Sequence, residues 1–193
     1  MNESGELEVV ILGCGSSGGV PRGDGDWGDC DPAEPRNRRT RCSMLARRHG
    51  PSGETNVVID TSPDFRQQML AAQVRHVDAI LYTHDHADQT HGIDDLRVFA
   101  THARRRIPAW MDAATHHALT RRFDYIFESR HGYPAIVEAH RIPPHGPACR
   151  CRPAPRSARP CRIADVGTSL PMSVWCWISW PKFEAGARSR PTG

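Results

Sequence analysis

Between Ala79 and Arg97 the chain reads A-I-L-Y-T-H-D-H-A-D-Q-T-H-G-I-D-D-L-R. An apolar run, Ala79 to Tyr82, breaks off into His84, Asp85, His86, Asp88 and His91. Short apolar runs bounded by polar residues read as buried strands, so Ala79–Thr83 is expected to be one. Polar residues crowded just past a strand end read as a site carried on a rigid element. His84 and His86 are two apart, and Asp88 is two further on. In an extended or looped backbone that spacing brings alternate side chains to one point. Imidazole nitrogen and carboxylate oxygen both suit zinc, manganese or iron. A single histidine is more often a surface or packing residue. Histidines at 84, 86 and 91 with Asp88 among them, directly after a strand, are poorly explained that way. Gly92 then breaks the loop, and a helical pattern begins at Ile93.

The flanking segments alternate between strand and helix signals. Glu8–Leu12 is a β-branched strand, followed by G-C-G-S-S-G at Gly13–Gly18. That hexapeptide formally matches a dinucleotide-binding turn, which requires a helix to open at once. Val20-Pro21-Arg22-Gly23-Asp24-Gly25 follows instead, which is loop chemistry, so a tight glycine turn is expected and nucleotide binding is not. Gly23–Arg41 reads as a long polar loop. Its Arg36-Asn37-Arg38-Arg39 could meet phosphate, although a solvated loop explains it more simply. Cys42–Ala46 and Asn56–Asp60 are two further strands, joined by a turn around His49–Gly53. The second delivers Asp60 to the same rim as the histidine loop. Asp60 or Ser62 could equally cap the helix that Pro63 opens, with Phe65, Met69 and Ala72 on its inner face. Ile93–Arg104 is expected to be helical, Ile107–Met111 a strand, and Ala113 to about Phe123 a helix capped by Asp112. His116 and His117 on that helix read as surface residues. The alternation implies a mixed α/β architecture.

Charge divides the chain. Residues 1–142 carry 17 Arg against 20 Asp and Glu, whereas residues 143–193 carry 8 basic and 2 acidic residues. The net charge of +3 therefore describes neither part. The second part also holds 9 Pro and 4 Cys and shows no clear amphipathic period from Pro143 to Pro171. It is expected to be an Arg/Pro/Cys-rich tail, disordered or read out of frame. Residues 1–142 are expected to form the domain. The acidic start differs from the basic opening of a secretory signal, and no run reaches the roughly 18 apolar residues of a membrane span. A cytoplasmic protein with no membrane association is the resulting expectation. Seven cysteines with no export signal argue against a disulfide framework.

T-H-D-H-A-D-Q resembles the H-x-H-x-D-H signature of the metallo-β-lactamase superfamily. G-C-G-S-S-G-G-V-P at Gly13–Pro21, R-C-S at Arg41–Ser43 and V-V-I-D-T-S-P at Val57–Pro63 are similar to the branch that holds the PhnP-type cyclic phosphodiesterases. The resemblance covers roughly residues 7 to 142. It implies an αββα sandwich, for which this chain is short, so the fold is expected to be incomplete at its C-terminus. It also implies a divalent metal, zinc or manganese, in one or two sites. His84, His86 and Asp88 would be ligands, with Asp88 also serving catalysis. Asp60 would stand behind the ligands and orient one of them, and His91 is a candidate for such a supporting role.

The family's last motif histidine falls on Gln89, whose amide oxygen is a weak zinc ligand, so the second metal site is in question. The later ligands would lie beyond residue 143, where Asp165 alone offers a stand-in and its surroundings do not match. Only Cys30 and Cys42 fall where relatives place structural zinc cysteines, so that site is not expected. The implied substrate is a small, cyclic phosphodiester cut by a metal-activated water. Nucleic acid is not an expected partner, and a homodimer is allowed. The alternative is a truncated, non-catalytic remnant that binds metal weakly or not at all.

Overall fold

The structure is a computed structural model, and it describes residues 6–51, 53–130 and 132–143. The expectations for the tail, including Asp165, lie outside the described residues.

Six strands form a single sheet among the described residues, in the order β1 (Glu6–Gly13), β2 (Ser43–Gly50), β3 (Gly53–Ile59), β4 (Ala79–Leu81), β5 (Ile107–Met111) and β6 (Val137–Arg141). The first three run antiparallel, with β2 joined to β3 between Gly50 and Gly53, and β3 through β6 run parallel. Parallel neighbours need crossover connections, and helices supply them. These are α1 (Phe65–Ala71), α2 (Ala87–Thr90), α3 (Leu96–Ala103), α4 (Ala113–Arg122) and α5 (Asp124–Phe127).

The register explains which face is covered. Leu45, Val58, Ile80 and Ala109 stand opposite one another across β2 to β5, so their side chains share a face. All four are buried, in one core with Phe65 and Met69 of α1, Leu96 and Ala100 of α3, Leu119 of α4, and Ile126 of α5. Phe65 meets Phe99 edge to face at 6.2 Å between ring centroids. On β1, Val10 and Leu12 join this core, whereas Leu7, Val9 and Ile11 on alternate positions stay exposed. Among the described residues, helices thus pack on this face of a single sheet.

Most of the expected elements are present with small shifts at their ends. The expected helix at Ile93 starts as a 3-10 turn, Ile93–Asp95, before α3 begins. Asp112 caps α4, its carboxylate accepting from the Thr115 amide at 2.7 Å. Asp112→Ala is expected to cost about 1 kcal/mol in urea unfolding, the usual loss for an N-cap carboxylate. Three elements were not expected: α2, α5 and β6. β6 mixes Glu138, His140 and Arg141 into a strand whose support is parallel pairing with β5, which local patterning does not reveal.

Candidate metal centre

Two neighbouring connections build the site, one leaving β3 and the other leaving β4. Main-chain bonds suture them together. The Asp60 amide donates to the Leu81 carbonyl at 2.8 Å, the Thr61 amide to the Gln89 carbonyl at 2.8 Å, and the Gly92 amide to the Thr61 carbonyl at 2.9 Å. Thr61 and Tyr82 share a buried hydroxyl–hydroxyl bond of 2.9 Å. From the far side, Arg122 of α4 donates to the Asp85 carbonyl and, at 3.1 Å, to its carboxylate. The histidine loop is therefore held at both ends.

Asp60 sits at the turn out of β3 with φ at 62°, a left-handed conformation that aspartate tolerates better than most residues. Its carboxylate is buried and accepts two bonds from Thr83, one from the amide at 2.8 Å and one from the hydroxyl at 2.7 Å. The Thr83 hydroxyl is also 2.9 Å from Nδ1 of His84. With Asp60 ionised, the direction of this relay follows from the proton count. A hydroxyl has one hydrogen, and Thr83 gives it to Asp60, so Thr83 accepts from Nδ1–H of His84. Nε2 is then the nitrogen that carries the lone pair. Such hydrogen bonds behind a metal-binding imidazole fix its tautomer and direction.

Burial pushes the Asp60 carboxyl up to about 7, the two Thr83 bonds pull it back, and the nearby charge of Asp88 raises it further. A divalent cation on His84 would oppose that upward push.

The rings of His84 and His86 meet edge to face, 4.6 Å between centroids. His86 is exposed and His84 half-buried. Among the described residues no three His, Cys, Asp or Glu side chains gather closely enough to hold an ion. Of the expected ligands, His84 and His86 stand together as a pair of imidazoles, and Asp88 follows in the first turn of α2. His86 has extended backbone at the N-cap of α2, and Asp88 lies inside that short helix, so the two-residue alternation stops at His86. Asp88 lies near enough to Asp60 and Cys42 for its charge to raise both groups' proton affinity.

His91, expected to support a ligand, ends α2 instead. It packs edge to face on Phe123 at 5.5 Å, with Nδ1 3.1 Å from the Ala87 carbonyl. Ser62, the alternative cap, accepts from the Asp64 amide at 3.2 Å, while Asp60 is committed to Thr83. Gln89 is buried, and its Oε1 has no hydrogen-bond partner. An unpaired buried acceptor costs roughly 1–3 kcal/mol, so a donor or cation beside it would be favourable. The imidazole pair and the relay behind His84 are donor chemistry that fits a divalent cation. Sequence reasoning missed Thr83 and Arg122. The signal for Thr83 was its place between the strand and the first histidine; Arg122 lies 37 residues from its partner and gave none.

A mixed sheet backed by helices on one face, with a His-x-His-x-Asp loop leaving a central parallel strand, defines a metallo-β-lactamase-type fold. Residues 55–164 match the family model described as the β-lactamase superfamily domain, and the chain belongs to that family. The match runs past the change in composition at Pro143. A crystal structure described as a new diphosphatase from the PhnP family superposes with a TM-score of 0.59 at 35% identity, over 71% of this chain and 51% of that one. This chain is a PhnP-like member of the superfamily. Zinc-bound PqqB from Methylobacterium extorquens shares the fold, with a TM-score of 0.52 and 24% identity over 71% of this chain and 46% of that one. An octanoyltransferase of Porphyromonas gingivalis is 34% identical over 128 residues, which is 66% of this chain and 25% of that protein. Coenzyme PQQ synthesis protein B of Xanthomonas oryzae pv. oryzae is 33% identical over 121 residues, 52% of this chain and 38% of that protein. The chain therefore spans between a quarter and about half the length of these relatives. No helix among the described residues is long and apolar enough to cross a membrane.

Proposed function

We propose that this chain is a metal-dependent hydrolase acting on a small phosphodiester, with zinc or manganese held through His84 and His86. The observation that carries the reading is the relay Asp60–Thr83–His84, because it leaves the imidazole lone pair on Nε2, the nitrogen a cation would use. The 35% identity to a PhnP-family diphosphatase supports phosphorus–oxygen bond hydrolysis as the chemistry. The zinc in PqqB supports a divalent ion in this fold. When bound, such an ion supplies Lewis acidity and lowers the pKa of a coordinated water toward about 7.

The protein's own residues divide the remaining work. Asp60 and Thr83 fix the His84 tautomer. Arg122 anchors the loop through Asp85, so the imidazole pair keeps its place during turnover. Asp88, in the first turn of α2 and near enough to Asp60 for its charge to act there, would be the carboxylate that accepts a proton from the attacking water. The homodimer and the cytoplasmic location remain parts of the same proposal.

The pairing of only two imidazoles among the described residues favours a second reading, a remnant without turnover. Hydrolysis of a chromogenic phosphodiester with added Zn²⁺ or Mn²⁺ separates the two. The enzyme reading expects activity that is abolished in His84→Ala; a rate equal to that of His84→Ala rejects it. Gln89→His replaces the orphaned amide oxygen with a nitrogen donor. It is expected to raise the rate or the metal uptake by about tenfold or more, since imidazole is the better ligand. An unchanged rate and uptake would contradict the role given to this position.

A further inference from the structure

The chain segments beyond the paired ends of β1 and β2 bring two cysteines together. Gly13 pairs antiparallel with Ser43, and Gly15 forms an isolated bridge, of parallel bonding type, with Arg41. Cys14 and Cys42 are the residues enclosed between these pairings, one on each segment. The two cysteines thus stand on neighbouring segments between these contacts, close enough for the charge of one to act on the other. Disulfides span Cα separations of about 4.4–6.8 Å. Both cysteines are free thiols, Cys14 exposed and Cys42 half-buried. We propose that Cys14 and Cys42 form a redox-active dithiol that closes to a cross-strand disulfide when it meets a low-molecular-weight disulfide.

Their surroundings assign the two thiols different roles. Cys14 is open to solvent, and Arg39 donates to its sulfur at 3.2 Å. That guanidinium places positive charge where anionic sulfur develops during exchange. Cys42 is less accessible, and its thiol donates to the Gly15 carbonyl at 3.3 Å. Burial pushes the Cys42 pKa up, and Cys14 is near enough for its charge to push the same way. Cys14 is thus the attacking thiol and Cys42 the resolving one. In the first step Cys14 sulfur bonds one sulfur of the small disulfide, RSSR, and expels RS⁻. In the second, Cys42 sulfur bonds Cys14 sulfur and expels the other RS⁻. The protein loses two electrons and two protons, and RSSR is reduced to 2 RSH.

The position gives the bond a reach into the sheet. Ser43, next to Cys42, donates its hydroxyl to the carbonyl of Asp60 at 2.8 Å, with the Ile59 carbonyl also near at 3.1 Å. The dithiol therefore sits one residue from the support of Asp60. It does not depend on the hydrolase reading, and either can fail without the other.

The test is a titration of the full chain in glutathione buffers of increasing GSSG:GSH ratio, followed by acid quench, alkylation and tryptic mapping. Cleavage after arginine leaves Cys14 in Met1–Arg22 and Cys42 in Cys42–Arg47. The expected product is these two peptides joined, at a ratio at least about tenfold less oxidising than any linkage through Cys30. In Cys42→Ser, Cys14 is expected to accumulate as a mixed disulfide with glutathione. Recovery of both peptides alkylated in fully oxidising buffer overturns the proposal. So does Cys14 joined to any other cysteine, or a Cys42→Ser protein whose Cys14 takes up no glutathione.

Discussion

Asp60→Asn is expected to weaken Zn²⁺ binding by about 10- to 100-fold while making the metal-free protein more stable at pH 8. The two effects share one cause. The substituted amide's oxygen can still accept from the Thr83 main-chain N–H, but its NH₂ must donate to the Thr83 hydroxyl. Thr83 then donates to Nδ1 of His84, and the ring proton moves to Nε2, where a cation would bind. Supporting groups of this kind typically contribute about 10- to 100-fold to metal affinity.

The stability effect follows from the carboxyl that burial pushes up to about 7. In the unfolded chain that group titrates near ~3.9. Between these values the folded state holds a proton the unfolded chain has released, so metal-free wild type loses stability as pH rises through the window. The loss is on the order of 3–4 kcal/mol by pH 8, and asparagine removes it. Urea midpoints from pH 4 to 8 measure this: a sloping profile for wild type and a flatter one for Asp60→Asn. Parallel profiles, with zinc affinity unchanged, would exclude the relay.

Gly92→Ala is expected to destabilise the fold by about 3 kcal/mol, the upper range for forcing a methyl group into packed space. A Cβ there would lie 2.1 Å from the Ser62 carbonyl oxygen and 2.6 Å from Cβ of Phe65. Neither neighbour is the free end of a flexible side chain. Ser62 belongs to the sutured turn after β3, and Phe65 is fully buried at the start of α1. The turn after β3 and the histidine loop would have to separate, breaking the bond from the Gly92 amide to Thr61. The urea midpoint should fall accordingly, and zinc affinity should fall with it, because the same separation strains the His84 support. A stability within about 0.5 kcal/mol of wild type, the range of ordinary surface substitutions, would mean that the loop is not clamped there.

The strand that carries the site was legible because Ala79–Tyr82 is apolar, short and sharply ended. Asp112 was legible as a cap for the same kind of reason: capping is local chemistry written within a few residues. α2 was not, since Ala87–Thr90 is four residues whose helical turn is imposed by bonds to Thr61 and not by its own pattern. β6 and the Arg122–Asp85 contact depend on partners far along the chain, which periodicity does not encode. Asp60 could be placed on the correct rim from its strand, but its commitment to Thr83 needed the parallel pairing of β3 with β4 to become visible.

The most direct test of the account is calorimetric titration of the protein, first stripped of metal, with Zn²⁺ at pH 7.5, beside His84→Ala and His86→Ala. Saturable uptake of at least one equivalent by the unaltered chain is expected, weakened at least about 100-fold by either substitution. Uptake of the same affinity and stoichiometry in a His84→Ala, His86→Ala double variant would contradict it.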